Sequence, residues 1–322
     1  MKNLIRVAVS VVVSVGLVAT SCVSARAEAV TVQPRITVGQ QDYELRFDDV
    51  LSPFGRSGFD FRDGFKVDDQ LPFAGAGITL TLDRWFFDLS GQRSQQGHDE
   101  TYQFSGRALG NDIFAPGDGH PHRLSFDLDR EEINATVGYG VTDAFSVYLG
   151  YKSASVDMAQ RQAPEPSPDP GDILFIGEYA MEFSYDGFFA GATYVIPVGS
   201  SGALSLQSSI ARLDGDFTQR FSGDVLLAAP TPTNQFNGVA ADKAFRDGVV
   251  NGESVGINVG ISWTGQFNWI SESLSRLTYT IGIDHSQYEF DSSGAKAFWA
   301  ADFQEKHTRL RLDLRYRLEG GG

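Results

Sequence analysis

The stretch Arg309-Leu310-Arg311-Leu312-Asp313-Leu314-Arg315-Tyr316-Arg317-Leu318 alternates charged and apolar side chains without a break. A period of two belongs to a β-strand, whose successive side chains point to opposite faces. Wound as a helix, the same run would scatter leucine and arginine around its whole circumference. One face is therefore Leu310, Leu312, Leu314, Tyr316 and Leu318. The other is Arg309, Arg311, Asp313, Arg315 and Arg317.

The same alternation recurs through the chain. In Ala74-Gly75-Ala76-Gly77-Ile78-Thr79-Leu80-Thr81-Leu82 the apolar set opposes glycine and threonine. Val255, Ile257, Val259, Ile261 and Trp263 face away from Gly256, Asn258, Gly260, Ser262 and Thr264. Ten strands are expected, at 34–48, 71–82, 85–96, 123–140, 144–159, 173–198, 203–219, 249–266, 275–292 and 303–318. Their connections alternate in length. Asp83-Arg84, Val141-Thr142-Asp143, Gly199-Ser200-Ser201-Gly202 and 268–273 are short, whereas 49–70, 97–122, 160–172, 220–248 and 293–302 are longer and polar. Short turns at one end and long loops at the other are the arrangement of an all-β, antiparallel up-and-down barrel. Ten strands fit the pattern, with eight or twelve as the neighbouring counts. The segment 173–198 exceeds one membrane crossing of roughly 9–11 residues. It is expected as one long strand rather than a hairpin folded at Ser184-Tyr185-Asp186-Gly187.

The chain has 322 residues, 35 of them glycine, with 24 Phe, 11 Tyr, 4 Trp and a formal charge of −15. A hydrophobic content of 42% excludes a disordered protein. The acidic balance excludes nucleic acid as a partner, because phosphate binding needs a basic footprint. At the start, Lys2 and Arg6 precede an apolar run from Val7 to Ala19, and Ala25-Arg26-Ala27 follows. This reads as a secretory signal peptide over 1–27 with cleavage after Ala27, or nearby after Ala29. A lipoprotein site at Ala19-Thr20-Ser21-Cys22 is the competing reading. Cleavage removes Lys2, Arg6 and Arg26 and moves the charge from −15 to −18. It also removes Cys22, the only cysteine, so the mature part, 28–322, folds as a single domain without a disulfide. No stretch of about 18 apolar residues follows, so no helix is expected to span a membrane.

Alternation alone leaves open whether the apolar face meets lipid or a soluble core, as in an exported β-sandwich that binds a ligand. The opposite face is rich in Gly, Ser, Thr and Asn, and Trp85, Phe87, Phe145, Trp263 and Tyr316 gather near the short turns, where an aromatic girdle would lie. Gly138-Tyr139-Gly140-Val141-Thr142-Asp143-Ala144-Phe145-Ser146-Val147-Tyr148-Leu149-Gly150-Tyr151 resembles the hairpins of bacterial outer-membrane β-barrel proteins. Tyr185-Asp186-Gly187-Phe188-Phe189-Ala190-Gly191-Ala192 and the run 310–318 have the same character. The chain closes on Tyr316-Arg317-Leu318-Glu319-Gly320-Gly321-Gly322, where these proteins commonly carry a final aromatic. The resemblance implies a Gram-negative outer-membrane location. It implies lipid, lipopolysaccharide, periplasmic chaperones and the barrel-assembly machinery as partners.

No strong catalytic motif is present, and neither a cofactor nor a metal site is expected. His120-Pro121-His122 lacks further ligands at a suitable spacing and reads as exposed loop. Asp127-x-Asp129 and Asp284-His285 are similar to the Asp pair and Asp-His pair of omptin proteases, which would imply a hydrolase at the barrel mouth. Asp284 and His285 are adjacent, however, so a regular strand sends them to opposite faces. The leading expectation is a non-enzymatic barrel, structural or a narrow passive pore. Arg309, Arg311, Asp313, Arg315 and Arg317 are then a lumen charge network. Asp42, Glu44 and Arg46 of the first strand are offered as its partners across the closing seam, and Asp127, Asp129, Glu131 and Glu132 from across the barrel. A selectivity lining is the functional alternative. Acidic loop residues such as Asp48, Asp68, Asp99, Glu100 and Asp169 are read as solubilising.

Overall fold

The computed structural model describes residues 30–47, 65–103, 107–108, 111–112, 121–164, 173–199, 202–227, 237–239, 248–267, 274–292 and 303–319. The proposed signal peptide, Cys22, His120 and most of the long loops lie outside the described residues. Ten long strands build the molecule. They are β1 (Thr31–Phe47), β2 (Phe65–Leu82), β3 (Trp85–Gln103), β4 (Pro121–Gly140) and β5 (Phe145–Pro164). β6 (Ile173–Val198), β7 (Gly202–Leu227), β8 (Gly248–Gln266), β9 (Leu277–Ser292) and β10 (Phe303–Tyr316) complete the set. Each pairs antiparallel with the next in sequence, and β10 pairs with β1, so the sheet closes into a barrel. The soluble sandwich is thereby excluded. The segment 173–198 is one continuous strand of 26 residues. Short pieces decorate this frame: Asn237–Val239 beside β7, Leu318–Glu319 beside β1, and a small hairpin of Arg107–Ala108 with Asn111–Asp112.

Local chemistry sets the turns. Asp83 takes a positive φ of 51° and Gly199 one of 58°, the left-handed conformation that tight hairpins demand. At the turn between β4 and β5, Thr142 Oγ1 accepts from the amides of Ala144 and Phe145 at 3.3 and 3.0 Å, so the Thr-Asp pair is fixed by its own side chain. At the seam Ile36 faces Leu314, Thr37 faces Asp313 and Gln41 faces Arg309.

Around the short-turn end the outer surface is apolar. Ile210 and Phe188 are 67% and 65% exposed, and Ile133, Val255, Ile257, Ile283 and Leu310 lie half-exposed beside them. This belt covers 32–38, 74–82, 85–91, 133–139, 145–151, 188–198, 204–210, 255–263, 277–283 and 310–316. On β6 it corresponds to about 33 Å of strand, or about 25 Å of height at the usual tilt, the thickness of an apolar membrane band. Many inward positions at this level are small or polar, among them Thr37, Gly191, Thr193, Ser205 and Thr264, with the rings of Phe86, Tyr148 and Phe189 beside them. Glycine is required where an aromatic ring lies across the neighbouring strand. A Cβ on Gly138 would overlap the Phe86 ring, and one on Gly256 the Tyr288 ring.

Beyond the belt the two faces exchange character without any change of phase. On β6 the outward residues become Glu182, Ser184 and Asp186, while the inward ones become Met181, Phe183 and Tyr185. On β1 the outward Ile36 and Val38 give way to Asp42, Glu44 and Arg46, and the inward side gains Tyr43 and Leu45. The buried apolar core thus lies in this second half, where Phe183, Phe290 and Phe303 meet with centroid separations of 4.5 to 5.4 Å. Leu71, Leu213, Met158 and Phe217 belong to the same buried cluster. The outer wall here carries ion pairs exposed to water, Arg93 with Asp129 and Arg212 with Glu253.

Candidate functional site in the barrel interior

Between the apolar core and the belt level lies a layer of buried charge, built from side chains of five strands, β4, β5, β6, β9 and β10. Arg130 on β4 reaches Glu305 on β10 with Nε to Oε1 at 3.0 Å. It also donates to the Tyr185 hydroxyl on β6 at 3.0 Å, and Tyr185 in turn donates to Glu305 Oε2 at 2.9 Å. Glu132, two residues after Arg130 on the same face, forms ion pairs with Arg130 at 2.8 Å and Lys152 at 3.1 Å. Lys152 donates as well to the Tyr288 hydroxyl at 2.8 Å. Arg309 joins Asp284 at 2.6 Å and approaches Glu132 at 3.5 Å. All these groups are inaccessible or nearly so. A buried charge survives only with partners of this kind, because desolvation of each ion costs several kcal/mol.

His307 sits in the same layer, above the belt residues, with its ring 6.1 Å from that of Tyr288. Neither ring nitrogen has a hydrogen-bond partner. Burial, with Arg130, Arg309 and Lys152 nearby, holds this imidazole well below its ordinary range, against the opposing pull of Glu132. It is therefore a neutral histidine at physiological pH.

Below the charge layer the interior opens into a cavity of about 410 Å³ at the level of the apolar belt. Arg35 and Asp88 pair across it, supported by Thr79. Thr37 donates to Asp313 Oδ1 at 2.6 Å, and Arg315 lies 3.5 Å from the other oxygen of that carboxylate. Arg311, Asn134, Gln207 and Asn258 also line the space.

Arg309, Arg311, Asp313 and Arg315 thus point inward as a ladder on β10. Arg317 does not belong to it: the residue lies beyond β10, exposed, with its amide bonded to the Arg276 carbonyl at 2.9 Å. Glu44 and Arg46 are placed on the outer face of β1, as is Asp42, and Glu44 lies 3.8 Å from Lys306 of β10 on that side. Pairing across the seam preserves face, so the inward partners of the ladder are the odd-numbered Arg35, Thr37 and Gln41. Of the acids expected opposite, only Glu132 faces the interior; Asp127, Asp129 and Glu131 look outward. Asp284 faces the lumen, and His285 the outside, where its Nδ1 lies 2.9 Å from Thr308 Oγ1. The omptin-like set Asp127, Asp129, Asp284 and His285 is therefore divided by the barrel wall and cannot converge on one water molecule. The residues missed from sequence are Arg35, Asp88, Arg130, Lys152, Tyr185, Glu305 and His307. Extending the parity of Arg309 backward would have reached His307 and Glu305; the rest needed the cross-barrel pairing.

No protein-family model matches the chain, and no curated protein sequence matches it. Solved structures do. Ail, the attachment invasion locus protein of Yersinia pestis, matches with 8% identity over 88% of this chain and 99% of its own, at a TM-score of 0.29. The toluene transporter TodX of Pseudomonas putida shows 8% identity over 90% of this chain and 89% of its own, at 0.32. The translocator domain of the autotransporter NalP from Neisseria meningitidis shows 8% identity over 97% of both chains, at 0.34. All three are bacterial outer-membrane β-barrels. Their described roles differ, and overlaps this loose carry no argument about the role of this chain.

Proposed function

We propose that this chain is an integral outer-membrane protein of a Gram-negative bacterium, exported by its signal peptide, and that it is a closed structural barrel rather than a passive pore. The exchange of faces on β1 and β6 supports both halves of this reading. An exposed belt of isoleucine, leucine, valine and aromatic side chains, about 25 Å tall, is costly in water and at home in lipid. A ring of acid and hydroxyl side chains above it suits the headgroup level and lipopolysaccharide. The interior, meanwhile, holds a charge layer and an aromatic core where a conducting barrel would keep water. Ten strands leave a bore that side chains can fill. Two measurements test the two halves. Membranes washed with alkali and extracted with sarkosyl should retain the protein in the outer-membrane fraction; recovery in the soluble periplasm would sink the location. Protein refolded and added to planar bilayers should give no unitary conductance, and regular ohmic steps from the wild type would show that the interior is open.

A further inference from the structure

We propose that the cavity below the charge layer is a binding site for a small oxyanion, a phosphate or a carboxylate, which enters from the short-turn end. Access is read along β10, where side-chain exposure is 29% at Arg315, 25% at Arg311, 11% at Arg309 and 0% at Glu305. Solvent reaches the arginines from the short turns and stops at the charge layer. That this end is periplasmic rests on the outer-membrane reading; the site itself does not.

Charge supplies the second line of argument. Within the charge layer and around the cavity, Arg35, Arg130, Lys152, Arg309, Arg311 and Arg315 outnumber the acids Asp88, Glu132, Asp284, Glu305 and Asp313 by one. Arg35 takes Asp88, Arg130 and Lys152 take Glu305 and Glu132, and Arg309 takes Asp284 at 2.6 Å. Arg311 and Arg315 are left to share Asp313, at 3.9 and 3.5 Å, and Arg311 lies 3.7 Å from the already engaged Asp284. Charge-assisted hydrogen bonds to carboxylate are usually about 2.7–2.9 Å, so neither guanidinium has a close ionic partner. The Nε atoms of both are buried and make no hydrogen bond. Two planar forks facing one space, with a surplus positive charge, form a receptor for an anion that offers two or more oxygens. Neutral donors line the same cavity from other strands, Asn134 on β4 and Gln207 on β7 among them. These could complete the shell of the anion without adding charge.

The test is calorimetric titration of the full chain, refolded in dodecyl maltoside micelles in phosphate-free buffer at low ionic strength. The probes are inorganic phosphate in one arm and succinate in the other. One saturable site is expected, weakened at least tenfold in Arg311→Gln and in Arg315→Gln and unchanged in Arg212→Gln on the outer wall. Binding in the phosphate arm alone, or in the succinate arm alone, decides which oxyanion the site takes. Heat-modifiable migration on gels reports whether each variant is folded. Should the variants not fold, wild-type protein treated with phenylglyoxal decides: the preferred anion should protect Arg311 and Arg315 from modification. Absence of saturable binding in both arms, equal affinity in folded variants, or no protection would overturn the proposal. A conductance result has no bearing on these outcomes.

Discussion

His307 shows how one side chain can tie stability to pH. The unfolded chain protonates this imidazole below about pH 6.5, whereas the folded chain keeps it neutral well below that value. Unfolding in that window takes up a proton, so stability is full above pH 6.5 and falls as the pH drops through it. His307→Phe keeps a ring against Tyr288 and removes the proton. Between pH 8 and pH 5, the urea midpoint of the detergent-refolded wild type should fall further than that of His307→Phe. Equal falls would mean that the histidine is not held neutral. Glu305 is the other sensitive residue, since Arg130 and Tyr185 both depend on it. Removing one member of a buried ion pair typically costs about 3–5 kcal/mol. Glu305→Leu should therefore lower the unfolding free energy by about that amount in the same titration.

At the scale of the strand, β1 and β6 each have two halves that carry their apolar side chains on opposite faces. On β10 the leucines 310, 312 and 314 face out and Arg311, Asp313 and Arg315 face in. Arginine on the lipid face near the midplane costs about 2–4 kcal/mol. Leu314→Arg should impair assembly far more than Arg315→Leu, as read by heat-modifiable migration of membrane-inserted protein. Equal assembly of the two would reverse the inside–outside assignment of this strand. The ten strands, the alternating loop lengths and the single long strand 173–198 were legible in the sequence, because period two survives along the whole of each element. The exchange of faces was harder to read. Parity does not slip at the boundary; only the chemistry of each parity changes, as in Ile36 and Val38 against Tyr43 and Leu45. Glu44 and Arg46 were placed on the lumen side because they stand near the ladder in the seam, although they share parity with the lipid-facing Ile36. Parity along β1 answers that question; which strands stand opposite one another across the barrel is what the strand sequences do not contain. The cross-barrel contacts Arg130–Glu305 and Lys152–Tyr288 were hidden for the same reason, since they join strands that are not neighbours.

For the molecule as a whole, the aromatic core lies inside the barrel above the charge layer. Phe183 touches Tyr185, Phe290 and Phe303, with centroid separations of 5.0, 5.4 and 4.5 Å. Phe183→Ala should cost about 3–5 kcal/mol, the usual range for such a truncation, read as a lowered urea midpoint. If that variant matched the wild type, the core would not be what holds the upper barrel together. The seam between β1 and β10 has a consequence of another sort, in time. Thr37 and Asp313, bonded across it, stand 276 residues apart in the chain. Every other pairing between the ten long strands joins neighbours in sequence and can form as a local hairpin, but this one has to wait for all of them. Until it forms, two unpaired strand edges remain open to other chains, a standing hazard of aggregation. Pulsed hydrogen exchange during refolding should accordingly find the amides of β1 and β10 that face each other among the last to be protected. The interval before closure is when a chaperone or an assembly partner would matter most.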